Sequence, residues 1–306
     1  ISNVAGIILP SVTGPLPVGT VALELVDHSR LDPLAPSPQP RTLMASLFYP
    51  TTQKAIDSGI YTLASYMPSL AAAALDEFLG APAGTAESIV TQSYLDAPIA
   101  NDNFPVLIFS HAFGASRLLY TAQLQDLASQ GWVIVAIDHT YEAFLVEFPD
   151  GTLVPSLFPL DADTSIYPGL VEIRVADVNF VAAALKNSTI SAQIPGLSSC
   201  GHRRELHVHE VGIFGHSLGG NTAAQAMSNY TRFICGANFD GSIYSPVGET
   251  GLDKPFLLMA AQDHNRSNDA SWAMFWDHLK GFRREFMVNA TVHQSFEDLP
   301  VLNDLL

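Results

Sequence analysis

Cysteine is scarce in this chain: Cys200 and Cys235 are the two in 306 residues. That excludes a small disulfide-held scaffold, which needs several bridges to replace a core. One bridge stays open. In an oxidising compartment Cys200 and Cys235 would tie the loop before one strand to the start of the next. Charge is scarce too, at 14%, and mostly of one sign: 14 Lys and Arg against 30 Asp and Glu, a net −16. Binding of nucleic acid needs basic stripes, and docking on anionic membranes needs basic clusters, so neither partner is expected. A neutral lipid or polymer surface remains possible. Long hydrophobic runs are missing as well. The most apolar helix-like stretch, residues 61–80, carries Pro68, Asp76 and Glu77, whereas a transmembrane helix needs ~20 mostly apolar residues. Clustered metal ligands are also lacking: His202, His207 and His209 have no carboxylate or thiol cluster beside them, and no metal is expected.

What the chain does have is apolar mass. Hydrophobic residues make up 48%, enough for a large buried core and too many for disorder. Four N-x-S/T sequons occur, at Asn187, Asn229, Asn265 and Asn289. With the acidic balance and a first residue, Ile1, that is not Met, they lead us to expect a secreted, glycosylated protein.

The pattern is β-rich first and alternating afterwards. Residues 20–28 and 41–50 read as strands around a Pro-rich connector, and 61–80 as a helix. From residue 104 the rhythm is clear. Apolar runs at 104–110 and 131–138 read as strands buried on both faces, and 211–217, 233–241, 255–262 and 284–291 complete the strands. Helical patterns at 116–130, 170–187, 218–230 and 270–282 lie among them, and 144–155 reads as a hairpin turning on Asp150-Gly151. Strand–helix alternation predicts an α/β fold, with a mostly parallel sheet of eight strands covered by helices on both faces. No repeat or composition shift divides the chain. One domain over 1–306 is expected, with 56–100 as a small helical cap or pocket wall. Arg174 and Asp177, three residues apart on one helix, are expected to pair.

One stretch carries chemistry. Gly215-His216-Ser217-Leu218-Gly219 is G-x-S-x-G between a predicted strand and a predicted helix. Glycines on either side let strand and helix approach a serine held on a sharp turn, above the carboxyl ends of the strands where open α/β sheets bind ligands. A serine needs a base, and the base needs an orienting carboxylate. In this architecture the chain order is Ser, acid, His. His278 falls inside a predicted helix, and His264 follows its strand too closely to leave room for the acid. His293, just after the last strand, is the candidate base. Asp240 and Asp263 both end strands at the same edge, and position alone leaves the choice open, leaning to Asp263. An oxyanion needs donors. The Leu218 N–H, at a helix start, and the Phe113 N–H, in the loop 110–116, are the candidates. His111, His216, Tyr141, Tyr66 and Met67 are expected to line the pocket.

Taken together, "FSHAFGASRLLYT", "GHSLGG", "ANFDG" and "VHQSF" resemble the platelet-activating-factor acetylhydrolase group of α/β-hydrolases, especially its secreted microbial esterases and lipases. The likeness runs from about residue 40 to about 300. It implies that the acid is Asp240, in Phe239-Asp240. It also implies hydrolysis of short- to medium-chain acyl esters with no metal and no cofactor. His111-Ala112-Phe113-Gly114 departs from the family's His-Gly-x-Gly in its alanine, which narrows the allowed dihedrals. Three other functions compatible with the residues are polyester hydrolysis, lactone formation or acyl transfer by the same triad, and ester binding without catalysis.

Overall fold

The computed structural model describes residues 7–199, 202–203 and 205–305. The strands of the main sheet are β1 (Ile7–Ile8), β2 (Val18–Leu31), β3 (Pro40–Pro50), β4 (Leu63–Ser65), β5 (Ile89–Leu95), β6 (Val106–Ser110) and β7 (Val133–Asp138). The hairpin β8 (Leu145–Glu147) and β9 (Leu153–Pro155) and the pair β10 (Ser198–Ser199) and β11 (His202–Arg203) stand apart from it. The main sheet resumes with β12 (Val211–His216), β13 (Phe233–Phe239), β14 (Phe256–Ala260) and β15 (Arg283–Met287). It is an 11-stranded sheet in the order β1-β5-β2-β3-β7-β6-β12-β13-β14-β15, with β4 on β5. From β7 to β15 every pairing is parallel, whereas β3 is antiparallel to both β2 and β7.

Eight of these strands answer the expected runs. The other three, β1, β4 and β5, lie where no apolar run announced them. β5 (IVTQSYL) shows the reason: its buried residues alternate with part-buried ones, and its neighbour β4 covers three residues. The helix expected over 61–80 is shorter, Ser69–Leu79, with Pro68 as its N-cap. Proline disfavours helical dihedrals in the residue before it, so the chain stays extended through 63–65 and turns helical only after the ring. Residues 56–100 are therefore woven into the sheet through β5, and only the helix Ser69–Leu79 reaches toward the site.

Two apolar layers flank the sheet. On one side Tyr167–Ala184 and Leu218–Asn229 pack Val171, Val175, Val178, Ala223 and Ala226 against strand residues such as Ile108, Val135 and Ile213. On the other, Thr121–Ser129 buries Leu124 and Ala128 with Phe109, Ile134 and Phe214. Alternation along each strand sends neighbouring residues to opposite layers, so both faces must be apolar and the runs read as continuous. Arg174 and Asp177 do not pair with each other. Both are fully buried, and each turns to a partner far along the chain: Arg174 to Glu142, Asp177 to Arg41 and Arg30. Cys235 is a free thiol beside an apolar groove on β13, and its expected partner Cys200 lies outside the described residues. Among the described residues no helix is long and apolar enough to cross a membrane.

Candidate active site

Strand β12 ends at His216, and the next residue turns the chain. Ser217 has φ 54° and ψ −122°, a region that residues with a side chain rarely occupy, and the helix begins at Leu218. The turn is held by the Ser217 N–H donating to the Phe239 carbonyl at 2.8 Å and by the Gly220 N–H donating to the Ser217 carbonyl at 2.9 Å. A Cβ on Gly219 would overlap the Ser110 carbonyl, and one on Gly215 would overlap the Gly219 backbone. Here glycine is a condition of the corner, as the sequence pattern implied.

One strand along, β13 ends at Phe239, and Asp240 also takes positive φ, 57°. Its N–H donates to the Met259 carbonyl at 2.7 Å, which pins the turn to β14. The carboxylate is buried and divided. Oδ2 lies 2.6 Å from His293 Nδ1; Oδ1 accepts from the Ala261 N–H at 2.7 Å and lies 2.7 Å from His264 Nδ1. Burial alone would raise the pKa of this carboxyl, but the bonds from His264, His293 and Ala261 outweigh it and hold the group well below the usual carboxylate range. His293 opens a short 3-10 turn, His293–Phe296, after the loop that follows β15. That loop is fixed by Gln262, whose N–H donates to the Thr291 carbonyl at 3.2 Å and whose Oε1 accepts from the Ala290 N–H at 2.6 Å. The His293 ring also lies 4.5 Å from the ring of His216.

Ser217 and His293 share two cavities. One is an open, polar trough of about 960 Å³, with Asp263, His264, Asn268 and Asp269 on its walls. The other is a pocket of about 370 Å³ walled by Leu75, Phe78, Phe113, Phe144, Leu160 and Tyr167. Phe113 thus lies at the site, and the loop around it is held from beneath. The Ala112 N–H donates to the Tyr120 hydroxyl at 3.0 Å, Gly114 takes φ 68°, and Arg174 Nη1 donates to the His111 carbonyl at 2.6 Å. The Tyr120 hydroxyl is also 3.0 Å from His216 Nδ1, so a single side chain ties this loop to the residue before Ser217. The alanine at 112 therefore fits with its N–H engaged, while the left-handed residue is the glycine two places on.

Several expected pocket residues stand elsewhere. Asp263 sits exposed on the trough wall with φ 68°, while Asp240 occupies the carboxylate position beside His293. Tyr66 is buried and donates to Asp298, and with Met67 it lines a separate cavity that neither Ser217 nor His293 borders. The pocket wall from this segment is instead Leu75 and Phe78. Tyr141 accepts from Gln39 Nε2 at 2.8 Å and borders a satellite apolar cluster. His111 is fully buried, with Nδ1 donating to the Ala112 carbonyl and Nε2 accepting from the His139 N–H. Burial, then the Arg174 charge, pushes it well below the ordinary histidine range, so it is a neutral strut. His216 is likewise buried and is lowered to about 3 by burial and then by His293. His264 is the residue that sequence spacing set aside and that the structure brings into the site. Its only signal was a histidine directly after a strand-end aspartate.

Comparisons with known proteins bear on the family and the fold. The chain matches the family model of platelet-activating factor acetylhydrolase, isoform II, over residues 2–147 and 200–306. It is 30% identical to a probable 1-alkyl-2-acetylglycerophosphocholine esterase of Arthroderma benhamiae, over 97% of this chain and 78% of that protein. It is 26% identical to the platelet-activating factor acetylhydrolase of Cavia porcellus, over 64% of this chain and 49% of that one, so it spans about half the length of that relative. Among solved structures, a ferulic acid esterase from Streptomyces cinnamoneus superposes with a TM-score of 0.81 at 31% identity, over 98% of this chain and 82% of the other. A family match across both halves of the sheet and a neighbouring esterase fold lead to one conclusion: the chain belongs to the platelet-activating factor acetylhydrolase isoform II family and is a carboxylic ester hydrolase of the α/β-hydrolase fold.

Proposed function

We propose that the chain hydrolyses short- to medium-chain acyl esters through an acyl-enzyme on Ser217. The carrying observation is the 2.6 Å contact between His293 Nδ1 and Asp240 at the mouth of the two cavities that Ser217 shares. With Nδ1–H donated to Asp240, Nε2 is free to take the Ser217 proton as Oγ attacks the ester carbonyl. The carbonyl oxygen becomes an oxyanion held by the N–H groups of Leu218 and Phe113, one at a helix start and one in the braced loop. His293 then gives its proton to the departing alcohol, and a water activated in the same way releases the acid. The aromatic-walled pocket takes the acyl group, and the polar trough takes the alcohol. No metal or cofactor enters this scheme. In this reading residues 1–306 act as one domain outside the cell, a setting supported by the exposure of Asn187, Asn229 and Asn289.

A second acyl class has its own support. Phe78, Phe113, Phe144 and Tyr167 suit an aromatic acid, and the structural neighbour is a ferulic acid esterase. The test is hydrolysis of p-nitrophenyl esters from C2 to C16 beside methyl ferulate, with Ser217→Ala as control. Serine-dependent turnover that peaks at C2–C8 supports the first class, and a preference for ferulate the second. A folded protein that turns over neither contradicts the proposal and directs attention to acyl transfer or lactone formation.

A further inference from the structure

A carboxylate that orients a histidine uses one oxygen, and the other must be satisfied. In Asp240 that second oxygen, Oδ1, meets the Ala261 N–H and His264 Nδ1, both at 2.7 Å. His264 is itself held at its far side, with Nε2 3.0 Å from Asp269 Oδ2. A neutral imidazole carries one N–H and can serve one carboxylate; only the imidazolium donates to both. The ring is kept in plane by Trp272, with centroids 4.3 Å apart at 34°. Asp269 is fixed in turn. Its Oδ1 accepts from the Ser271 and Trp272 N–H groups at the start of the helix Ala270–His278, and its Oδ2 accepts from the Ser242 hydroxyl at 2.6 Å.

We propose that His264 is a positioning residue for the reaction, an imidazolium that clamps the second oxygen of Asp240 and so fixes the first toward His293. The inference rests on the reading of Asp240 as the orienting acid. The hydrogen bonds to Asp240 and then Asp269 push His264 up to about 9 against the opposing effect of burial. The other charged groups nearby are engaged or distant from the ring contacts: His293 is on the opposite oxygen of Asp240, Arg266 is paired with Glu285, and Asp263 is on the trough wall. Raised above its unfolded value, the His264 proton is retained at neutral pH and lost as pH climbs through about 9. Once it is lost, one ring nitrogen presents a lone pair to a carboxylate oxygen, and the clamp opens.

The experiment is a kcat/KM profile from pH 6 to 10.5 on p-nitrophenyl butyrate, for the wild type, His264→Ala, His264→Gln and Asp269→Asn, each checked for native circular dichroism. The Ser217→Ala rate is subtracted as background. Expected are a wild-type fall above about pH 9 and, for His264→Ala, a loss of roughly 10- to 100-fold in kcat with KM little changed, the scale of a misplaced catalytic group. His264→Gln, which keeps one donor, should recover part of that loss. Asp269→Asn keeps its cap through Oδ1 and turns an amide donor toward His264 Nε2. The neutral ring is then satisfied while Nδ1–H still serves Asp240, and the alkaline fall should vanish. A wild-type profile flat through pH 10.5, or His264→Ala within twofold of wild type in kcat, overturns the inference. Asp240→Asn, measured beside them, separates the two levels: if it too is harmless, the acid assignment itself has failed.

Discussion

Two serine–histidine–aspartate groupings lie among the described residues, and what they share is a histidine Nδ1 set against a carboxylate. In the first, Ser217 and His293 meet at a cavity mouth and His293 contacts Asp240 at 2.6 Å. In the second, the Ser110 hydroxyl is 2.9 Å from His139 Nε2, and His139 Nδ1 is 2.9 Å from Asp177 Oδ2. All three residues of that second array have no exposed surface. Ser110 ends a regular strand, whereas Ser217 sits on a strained corner. Asp177 also binds Arg41 and Arg30, and Ser110 lies 3.2 Å from Arg174 Nη1. Burial, then the Arg174 charge, lowers His139 from the ordinary histidine value, which weakens it as a base. The comparison teaches that the triad pattern alone is not chemistry. Access and a serine held on a strained turn separate the candidate site from a brace, and the brace here is tied to the Phe113 loop through Arg174 and the His111 carbonyl.

The largest expected difference is between the two serines. Ser217→Ala should lower kcat by at least about 10⁴-fold, the scale of losing a nucleophile. Ser110→Ala, measured in the same ester assay, should keep turnover within about tenfold, because the loop retains the Arg174 and Tyr120 contacts while losing only one hydroxyl. The aspartates come next. Asp240→Asn should cost at least ~100-fold in kcat, since an amide no longer selects the histidine tautomer. Asp263→Asn should stay within about threefold, and the reverse ranking would transfer the acid role to Asp263.

The third contrast reverses the order of effects. Asp177→Asn leaves the buried Arg41 with Asp32 as its remaining carboxylate and a neutral amide in place of Asp177, and removing one member of a buried ion-pair network costs about 3–5 kcal/mol of stability. Denaturant titration should show that loss, with steady-state turnover far less affected than by Asp240→Asn. The smallest effect belongs to Asp298, buried against Tyr66 and raised by burial to about 7. A carboxyl raised on folding contributes stability below its unfolded value of about 4, and that contribution fades as pH rises toward 7. Melting temperature should therefore decline from pH 4 to 7, and Asp298→Asn should flatten the slope. A slope unchanged by the substitution would assign it to other groups.

How much of this was legible in the sequence depended on distance along the chain. The strand–serine–helix corner is local, carried by an apolar run and glycines within ten residues, and it reads directly. So do the central parallel strands β6, β7 and β12, whose two buried faces leave continuous apolar stretches. The choice between Asp240 and Asp263 did not follow from position, because both end adjacent strands with positive φ. What separates them is side-chain direction: one carboxylate turns inward beneath His293 and the other faces the trough. His264 was hidden for the same reason, since spacing ruled it out as a base and could not show it as a partner of the acid. The buried brace was hidden by separation, with Arg41 and Asp177 136 residues apart. A histidine or arginine in a βα loop carries no mark of the carboxylate that will neutralise it.

The most direct test of the account is to treat the folded protein with a fluorophosphonate and map the adduct by mass spectrometry, in the wild type, Ser217→Ala and Ser110→Ala. The account predicts a single adduct on the peptide bearing Ser217, lost in Ser217→Ala and kept in Ser110→Ala. An adduct on Ser110, or ester turnover that survives without any adduct at Ser217, would contradict it.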